Sequence, residues 1–285
     1  MRNGNVFCLG DAVHRHPPSN GLGSNTSIQD SFNLAWKLAY VLKGKATERL
    51  LDSFDKERSP IAKQIVTRAN QSIEEFGPIF QALGLTDTND PKKMKENMSK
   101  RLQTDEEGQE IREQLRKAIA FKNYEFDAHG VDMNHRYYSD AIENAGQKEP
   151  DFKKDKELHF EQTTWPGSRL PHVWVFDKLG KQVSTLDLAG KGIFSLFTGL
   201  NGKKWVEEAK KVSKKFNIDI SINVIGPGSI VEDYTGDWAR IREINDGGAL
   251  LVRPDQHICA RFFSDGEEAI EELERVLIKI LGKVN

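Results

Sequence analysis

Residues 10–25 hold the densest run of groups able to do chemistry: Gly10-Asp11-Ala12-Val13-His14-Arg15-His16-Pro17-Pro18-Ser19-Asn20-Gly21-Leu22-Gly23-Ser24-Asn25. A short apolar run, Val6 to Leu9, leads into it and a helical pattern follows, so the segment reads as a strand-to-helix loop. Ligands of open α/β sheets collect at that place, outside the carboxyl ends of strands. Gly10 permits close approach of backbone to ligand, and Asp11 offers a carboxylate that accepts hydrogen bonds from sugar-like hydroxyls. A helix starting near Ser24 to Ser27 aims free N–H groups and partial positive charge back at the loop, and Gly21 and Gly23 keep those amides unshielded. A plain turn followed by an N-cap would use the same residue types.

The other reactive side chains are more scattered. His14 and His16 stand one residue apart with no carboxylate or cysteine beside them in sequence, a weak pattern for a metal, and no metal is expected. Cys8 falls in a strand expected to be buried, where cysteine serves as a small apolar filler; Cys259 reads the same way. Where a dithiol would sit in a redox domain, residues 198–203 are Thr-Gly-Leu-Asn-Gly-Lys, without a thiol. Arg253-Pro254-Asp255 reads as a hairpin turn. Tyr137 and Tyr138 suit a core, an interface or a substrate channel.

The elements that must position these groups fall into two parts. At 285 residues the chain has room for about two domains. Lys+Arg 41 against Asp+Glu 43 leaves a net charge of -2, which disfavours a nucleic-acid partner. No apolar run reaches membrane-spanning length and no signal-type segment opens the sequence, so a cytoplasmic protein without a membrane partner is expected. Helical spacing of Ile28, Phe32, Ala35, Ala39 and Leu42, with Thr26 or Ser27 as cap and Gly44 as stop, predicts a first helix. A second carries Leu50, Leu51 and Phe54, then Pro60 predicts a kink or break before Ile61, Ile65 and Ile73. Residues 86–109 read as a solvated connection or loosely held helix, Thr104 as the start of a capping box, and Ile111 to Ile119 as a further helix. A polar stretch, residues 145–161, marks an expected boundary near 150. Beyond it strands are predicted at Val173–Phe176, Ile193–Phe197, Ile218–Ile225, Ala249–Val252 and Ile258–Phe262, with helices at Lys203–Phe216 and Glu267–Leu281. That order suggests a small α/β layer of thioredoxin type.

Residues 10–44 (GDAVHRHPPSNGLGSNTSIQDSFNLAWKLAYVLKG) and 50–62 (LLDSFDKERSPIA) closely resemble the second flavin-binding motif of FAD-dependent aromatic hydroxylases of the phenol hydroxylase and chlorophenol monooxygenase type. The resemblance continues through 129–142 (HGVDMNHRYYSDAI), 165–175 (WPGSRLPHVWV), 184–199 (STLDLAGKGIFSLFTG) and 247–262 (GGALLVRPDQHICARF), similar to the thioredoxin-like carboxyl-terminal domain of that family. It implies an α/β fold: a partial, Rossmann-like FAD-binding region with a mostly helical extension over residues 1–150, then a thioredoxin-like domain over 151–285. It further implies that Gly10 and Asp11 meet the ribityl or pyrophosphate part of FAD. Pro18, Gly21, Leu22, Gly23 and Asn25 would lie along the isoalloxazine.

The implied reaction is hydroxylation of a phenolic or polyketide-like aromatic with O2, FAD and NAD(P)H. The sequence lacks the family's G-x-G-x-x-G turn with its acidic residue about 20 positions on, which grips the ADP half of FAD. As the carboxyl-terminal portion of such a hydroxylase, the chain is expected to hold FAD weakly by itself. It would need a chain supplying the other half, or pair as a homodimer. The alternative is a non-catalytic remnant serving as a thioredoxin-like association module.

Overall fold

The computed structural model describes residues 1–263 and 268–283. The chain opens with two short strands, β1 (Arg2–Asn3) and β2 (Val6–Phe7), followed by helices α1 (Gly23–Leu42), α2 (Arg49–Glu74), α3 (Gly77–Ala82), α4 (Pro91–Lys100), α5 (Glu106–Phe121), α6 (Asn123–Phe126) and α7 (His129–Met133). Then come β3 (Trp174–Asp177), β4 (Gln182–Ser184), β5 (Phe194–Thr198), α8 (Lys203–Phe216), β6 (Ile220–Val224), β7 (Val231–Glu232), α9 (Asp237–Ile241), β8 (Ala249–Val252), β9 (Ile258–Phe262) and α10 (Glu268–Leu281).

The central sheet has the order β6-β5-β8-β9, with β5 parallel to β6 and antiparallel to β8. Every residue of β5 is buried, and alternation sends Phe194 and Leu196 to one face and Phe197 to the other. The first face packs on Trp205, Ala209 and Val212 of α8, on Leu273 and Leu277 of α10, and on Trp36 and Tyr40 of α1. The second face packs on Val175, Val231 and Trp238, around the smaller sheet β4-β3-β7. One apolar cluster therefore joins the early helices to the late sheet. The edge-to-face rings of Trp36 and Phe194, with centroids 5.9 Å apart, are its hinge point.

Several local expectations are corrected. Val6 is 64 % exposed and Cys8 is exposed, because β2 pairs with β1 through a tight turn. Helix α1 begins at Gly23, ahead of Thr26 and Ser27, whose hydroxyls instead donate to the carbonyls of Leu22 and Gly23 one turn back. Its predicted apolar stripe faces outward: Ile28 is 66 %, Phe32 49 % and Leu42 83 % exposed, while Asp30, Asn33, Leu34, Trp36, Lys37 and Tyr40 are buried. Helix α2 runs unbroken through Pro60 for 26 residues, its buried stripe of Phe54, Ile61, Ala62 and Ile65 continuing across the site where one backbone bond is lost. Asp105, not Thr104, caps α5 by accepting from the Gly108 amide at 2.9 Å.

Other expectations stand. Gly44 has φ +66 just past α1, residues 86–109 take the helical form in α4 with Asp90 as cap, and β8, β9 and α8 have the predicted bounds. Cys259 is buried, its thiol donating to the Leu251 carbonyl. Glu267 and the side chain of Ile270 lie outside the described residues. Residues Arg253 to Asp255 do form the β8–β9 turn, closed by Gln256 N–H to the Arg253 carbonyl at 2.9 Å.

Candidate functional site

The loop of residues 10–25 is built on a buried carboxylate. Gly10 starts a 3-10 turn with φ +61, a conformation that disfavours a side chain, and a Cβ there would come within 2.9 Å of Ser27 Oγ in the first turns of α1. Its amide donates to Asp30 Oδ2 at 3.1 Å, and His14 Nε2–H donates to the same oxygen at 2.7 Å. The other oxygen, Asp30 Oδ1, accepts from Arg58 Nε at 2.7 Å. Arg58 in turn donates to the Tyr137 hydroxyl at 2.9 Å and the Thr26 carbonyl at 3.3 Å. His14, Asp30 and Arg58 are all buried. With the turn tied inward by its backbone, Asp11 is left exposed. The Nδ1 of His14 is buried without a hydrogen-bond partner.

The second half of the loop is pinned by side chains of its own. Residues Ser19–Gly21 form another 3-10 turn, with Asn20 at φ 66 and Gly21 at φ 62. Ser19 Oγ donates to the Ala69 carbonyl at 2.6 Å, Asn20 Nδ2 to the Tyr124 carbonyl at 2.8 Å, and Ser72 Oγ to Asn20 Oδ1 at 2.7 Å. Pro18 and Gly21 remain exposed, and a Cβ on Gly21 would meet no atom within 4 Å. Leu22 is buried at 8 % and anchors the helix start. The first backbone bond of α1 runs from the Thr26 amide to the Leu22 carbonyl at 2.9 Å, so the amides of Gly23, Ser24 and Asn25 make up the open first turn.

The structure thus brings Gly10 and Asp11 against the amino-terminal turns of α1, with Gly21, Gly23 and Asn25 on the same loop. A large ligand with hydroxyls and a partially negative edge finds there an exposed carboxylate, unshielded amides and the positive end of a 20-residue helix. The side chains of His14 and His16 do not converge: His14 holds Asp30, and His16 Nδ1 donates to the Pro17 carbonyl at 2.7 Å. No group of three metal-capable side chains occurs among the described residues.

Behind the loop lies a second charged cluster that the sequence reading missed. Glu57 accepts from Arg253 through both oxygens at 2.6 and 2.9 Å, from Lys37 at 2.8 Å, from Asn33 at 2.7 Å and from Ser139 at 2.6 Å. Asp255 Oδ1 accepts from Arg253 Nε at 3.0 Å. Lys37, Glu57, Arg253 and Asp255 are buried with their charges balanced two against two. Burial opposes ionisation of Glu57, but the charges of Arg253 and Lys37 and their hydrogen bonds outweigh it and hold the carboxyl well below its usual range. Burial also draws Lys37 down to about 8, which leaves it protonated at neutral pH. Burial sets His135 and His257 at about 3 and about 4, both neutral. The available signal was the run of polar residues Asp30, Asn33 and Lys37 along one helical face, at spacings that put them together on α1.

Residues 1–69 match the family model described as FAD binding domain, and residues 163–284 match that described as aromatic-ring hydroxylase, C-terminal. The chain is 51 % identical over 277 residues to 2,4-dichlorophenol 6-monooxygenase of Delftia acidovorans, covering 97 % of this chain and 47 % of that protein. It is 49 % identical over 282 residues to phenol 2-monooxygenase of Pseudomonas sp. (strain EST1001), covering 99 % and 46 %. In structure it is similar to the flavin-dependent monooxygenase PieE, solved in complex with FAD and substrate, with TM-score 0.94 and 39 % identity over 99 % of this chain and 48 % of that one. The chain spans about half the length of the curated relatives it matches. By sequence and by fold it is related to the FAD-dependent aromatic hydroxylases of the phenol hydroxylase and chlorophenol monooxygenase type.

Proposed function

We propose that residues 10–25 form one side of an FAD site in a monooxygenase that hydroxylates a phenolic or polyketide-like aromatic. The observation that carries the reading is the pairing of an exposed Asp11 with the open first turn of α1, both fixed from behind by Asp30. FAD, when bound, supplies the redox chemistry, taking hydride from NAD(P)H and activating O2. The net change is phenol plus O2, NAD(P)H and H+ to catechol, NAD(P)+ and water.

The residues of this chain bind and polarise. Asp11 accepts hydrogen bonds from the sugar-alcohol arm. The amides of Gly23, Ser24 and Asn25 face the ring edge that gains negative charge on reduction, and the α1 dipole favours that charge. Gly10, Pro18, Gly21 and Leu22 set the path of the backbone past the ligand. We assign residues 1–150 to the carboxyl-terminal part of the flavin domain and 151–285 to a thioredoxin-like domain. Partnership with a polypeptide carrying the ADP-binding turn fits the relatives' length, as does a homodimer built on the second domain. The free cysteines suit a cytoplasmic setting, and among the described residues no helix is long and apolar enough to cross a membrane.

Joining the chain behind the amino-terminal half of the Delftia relative and following NAD(P)H oxidation tests the reading. Oxidation stimulated by a simple phenol, with catechol formed, supports it. Oxidation indifferent to phenol supports the non-catalytic association module instead.

A further inference from the structure

A cavity of about 140 Å³ opens beside α1, on residues distinct from the loop 10–25. Its size is close to the roughly 150 Å³ that accommodates one benzene ring in an engineered protein cavity. One wall is flat: the rings of Tyr137 and His257 stack with centroids 4.2 Å apart and planes 23° from parallel. Phe32 and Ile28 of α1 and Met133 of α7 complete the apolar lining.

The polar groups restrict what fits. His257 Nδ1–H donates to the Asp255 carbonyl at 3.0 Å and His135 Nε2–H to the Val131 carbonyl at 2.9 Å. A carbonyl only accepts, so the second nitrogen of each neutral imidazole carries a lone pair. Burial keeps both rings uncharged at neutral pH. An anionic ligand would meet the Asp255 carboxylate in the lining. A cationic one would meet Arg169, with the Arg58 and Arg253 guanidiniums 6.0 and 5.5 Å from the Tyr137 ring.

We propose that this cavity binds one neutral, single-ring aromatic alcohol, its ring against the Tyr137–His257 wall and its hydroxyl donating to Nε2 of His257. The site needs no cofactor, so it stands or falls apart from the flavin reading.

Titration of the chain with phenol, followed by calorimetry and by ligand-detected NMR, tests it, with toluene, benzoate and benzylamine as comparison ligands. Phenol should saturate one site with Kd on the order of 1 mM, a reasonable value for so few atoms. Benzoate and benzylamine should bind at least about tenfold more weakly, and added FAD should leave the phenol isotherm unchanged. Met133→Trp, which fills the space, should abolish binding; Ile28→Trp, on the exposed rim, should do the same without touching the core. His257→Phe keeps a ring against Tyr137 and removes the acceptor, so phenol should lose about fivefold or more while toluene does not change. Absence of saturation, benzoate binding as well as phenol, competition by FAD, or phenol affinity unchanged in both tryptophan variants would overturn the proposal.

Discussion

Arg253 and Glu57 stand 196 positions apart in sequence and meet through two hydrogen bonds, Nη1 to Oε1 at 2.6 Å and Nη2 to Oε2 at 2.9 Å, with both side chains wholly buried. The pair bolts the β8–β9 turn to α2, and Lys37 on α1 shares the same carboxylate. Geometry this complete leaves each charge compensated only while all partners stay in place. Arg253→Met should therefore cost about 3–5 kcal/mol in urea denaturation, since it strands Glu57 and Asp255 in the interior. A loss below about 1 kcal/mol would show that water reaches the cluster.

Asp30 plays the matching part for the loop. Asp30→Ala removes the acceptor of the Gly10 amide, of His14 and of buried Arg58. A destabilisation of about 3–5 kcal/mol is expected, with faster hydrogen exchange at the Gly10 amide than at amides in the central sheet. Uniform acceleration across the molecule would instead mean global loosening with no special role in the loop.

Gly10 is constrained twice, by φ +61 and by Ser27 Oγ at 2.9 Å from the position of a Cβ. Gly10→Ala should cost about 1–3 kcal/mol. Adding Ser27→Ala should recover the steric part and leave roughly 1 kcal/mol from the backbone conformation. Full recovery in the double variant would show that the left-handed φ carries no cost there.

Stability should fall as pH drops below 6.5. His257 titrates at about 4 in the folded chain against 6.5 when free, and His135 at about 3, both lowered by burial. Between those limits the unfolded state binds more protons, so acid favours unfolding, and stability rises with pH up to about 6.5. Below 4.5 the depressed carboxyl of Glu57 adds to the loss, because the unfolded chain takes up its proton first. Urea midpoints measured from pH 4 to 7 should decline steadily, and His257→Gln should flatten the slope. A midpoint flat over this range would contradict the burial of both imidazoles.

Most elements of the second half were legible in the sequence because their signals are local. Ala249–Val252 and Ile258–Phe262 are short apolar runs, and Lys203–Phe216 has a regular apolar stripe. Helix α1 was legible as a helix but not in its orientation. Periodicity placed Ile28, Phe32 and Leu42 inside, whereas the buried face is set by Asp30, Asn33 and Lys37, whose partners Arg58, Glu57 and Asp255 come from other elements. Charged residues read as solvated faces until their partners are known, and no local pattern supplies those. The same limit applies to Arg253 and Asp255, legible as a turn but not as buried ions. Pro60 shows the reverse case: a strong local breaker is overridden by a continuous packed stripe. In the candidate site, the loop residues Gly10 to Asn25 were legible from glycine spacing and the strand-to-helix context, while the buried Asp30 that holds them was not.

The most direct measurement is flavin retention by the chain joined behind the amino-terminal half of the Delftia relative, read as visible absorbance after gel filtration. The account predicts about one FAD per chain, with marked loss in Asp11→Ala and in Gly23→Glu, which sets a carboxylate against the open amides of α1. A folded, colourless fusion, or one that keeps FAD equally well with both substitutions, would contradict it.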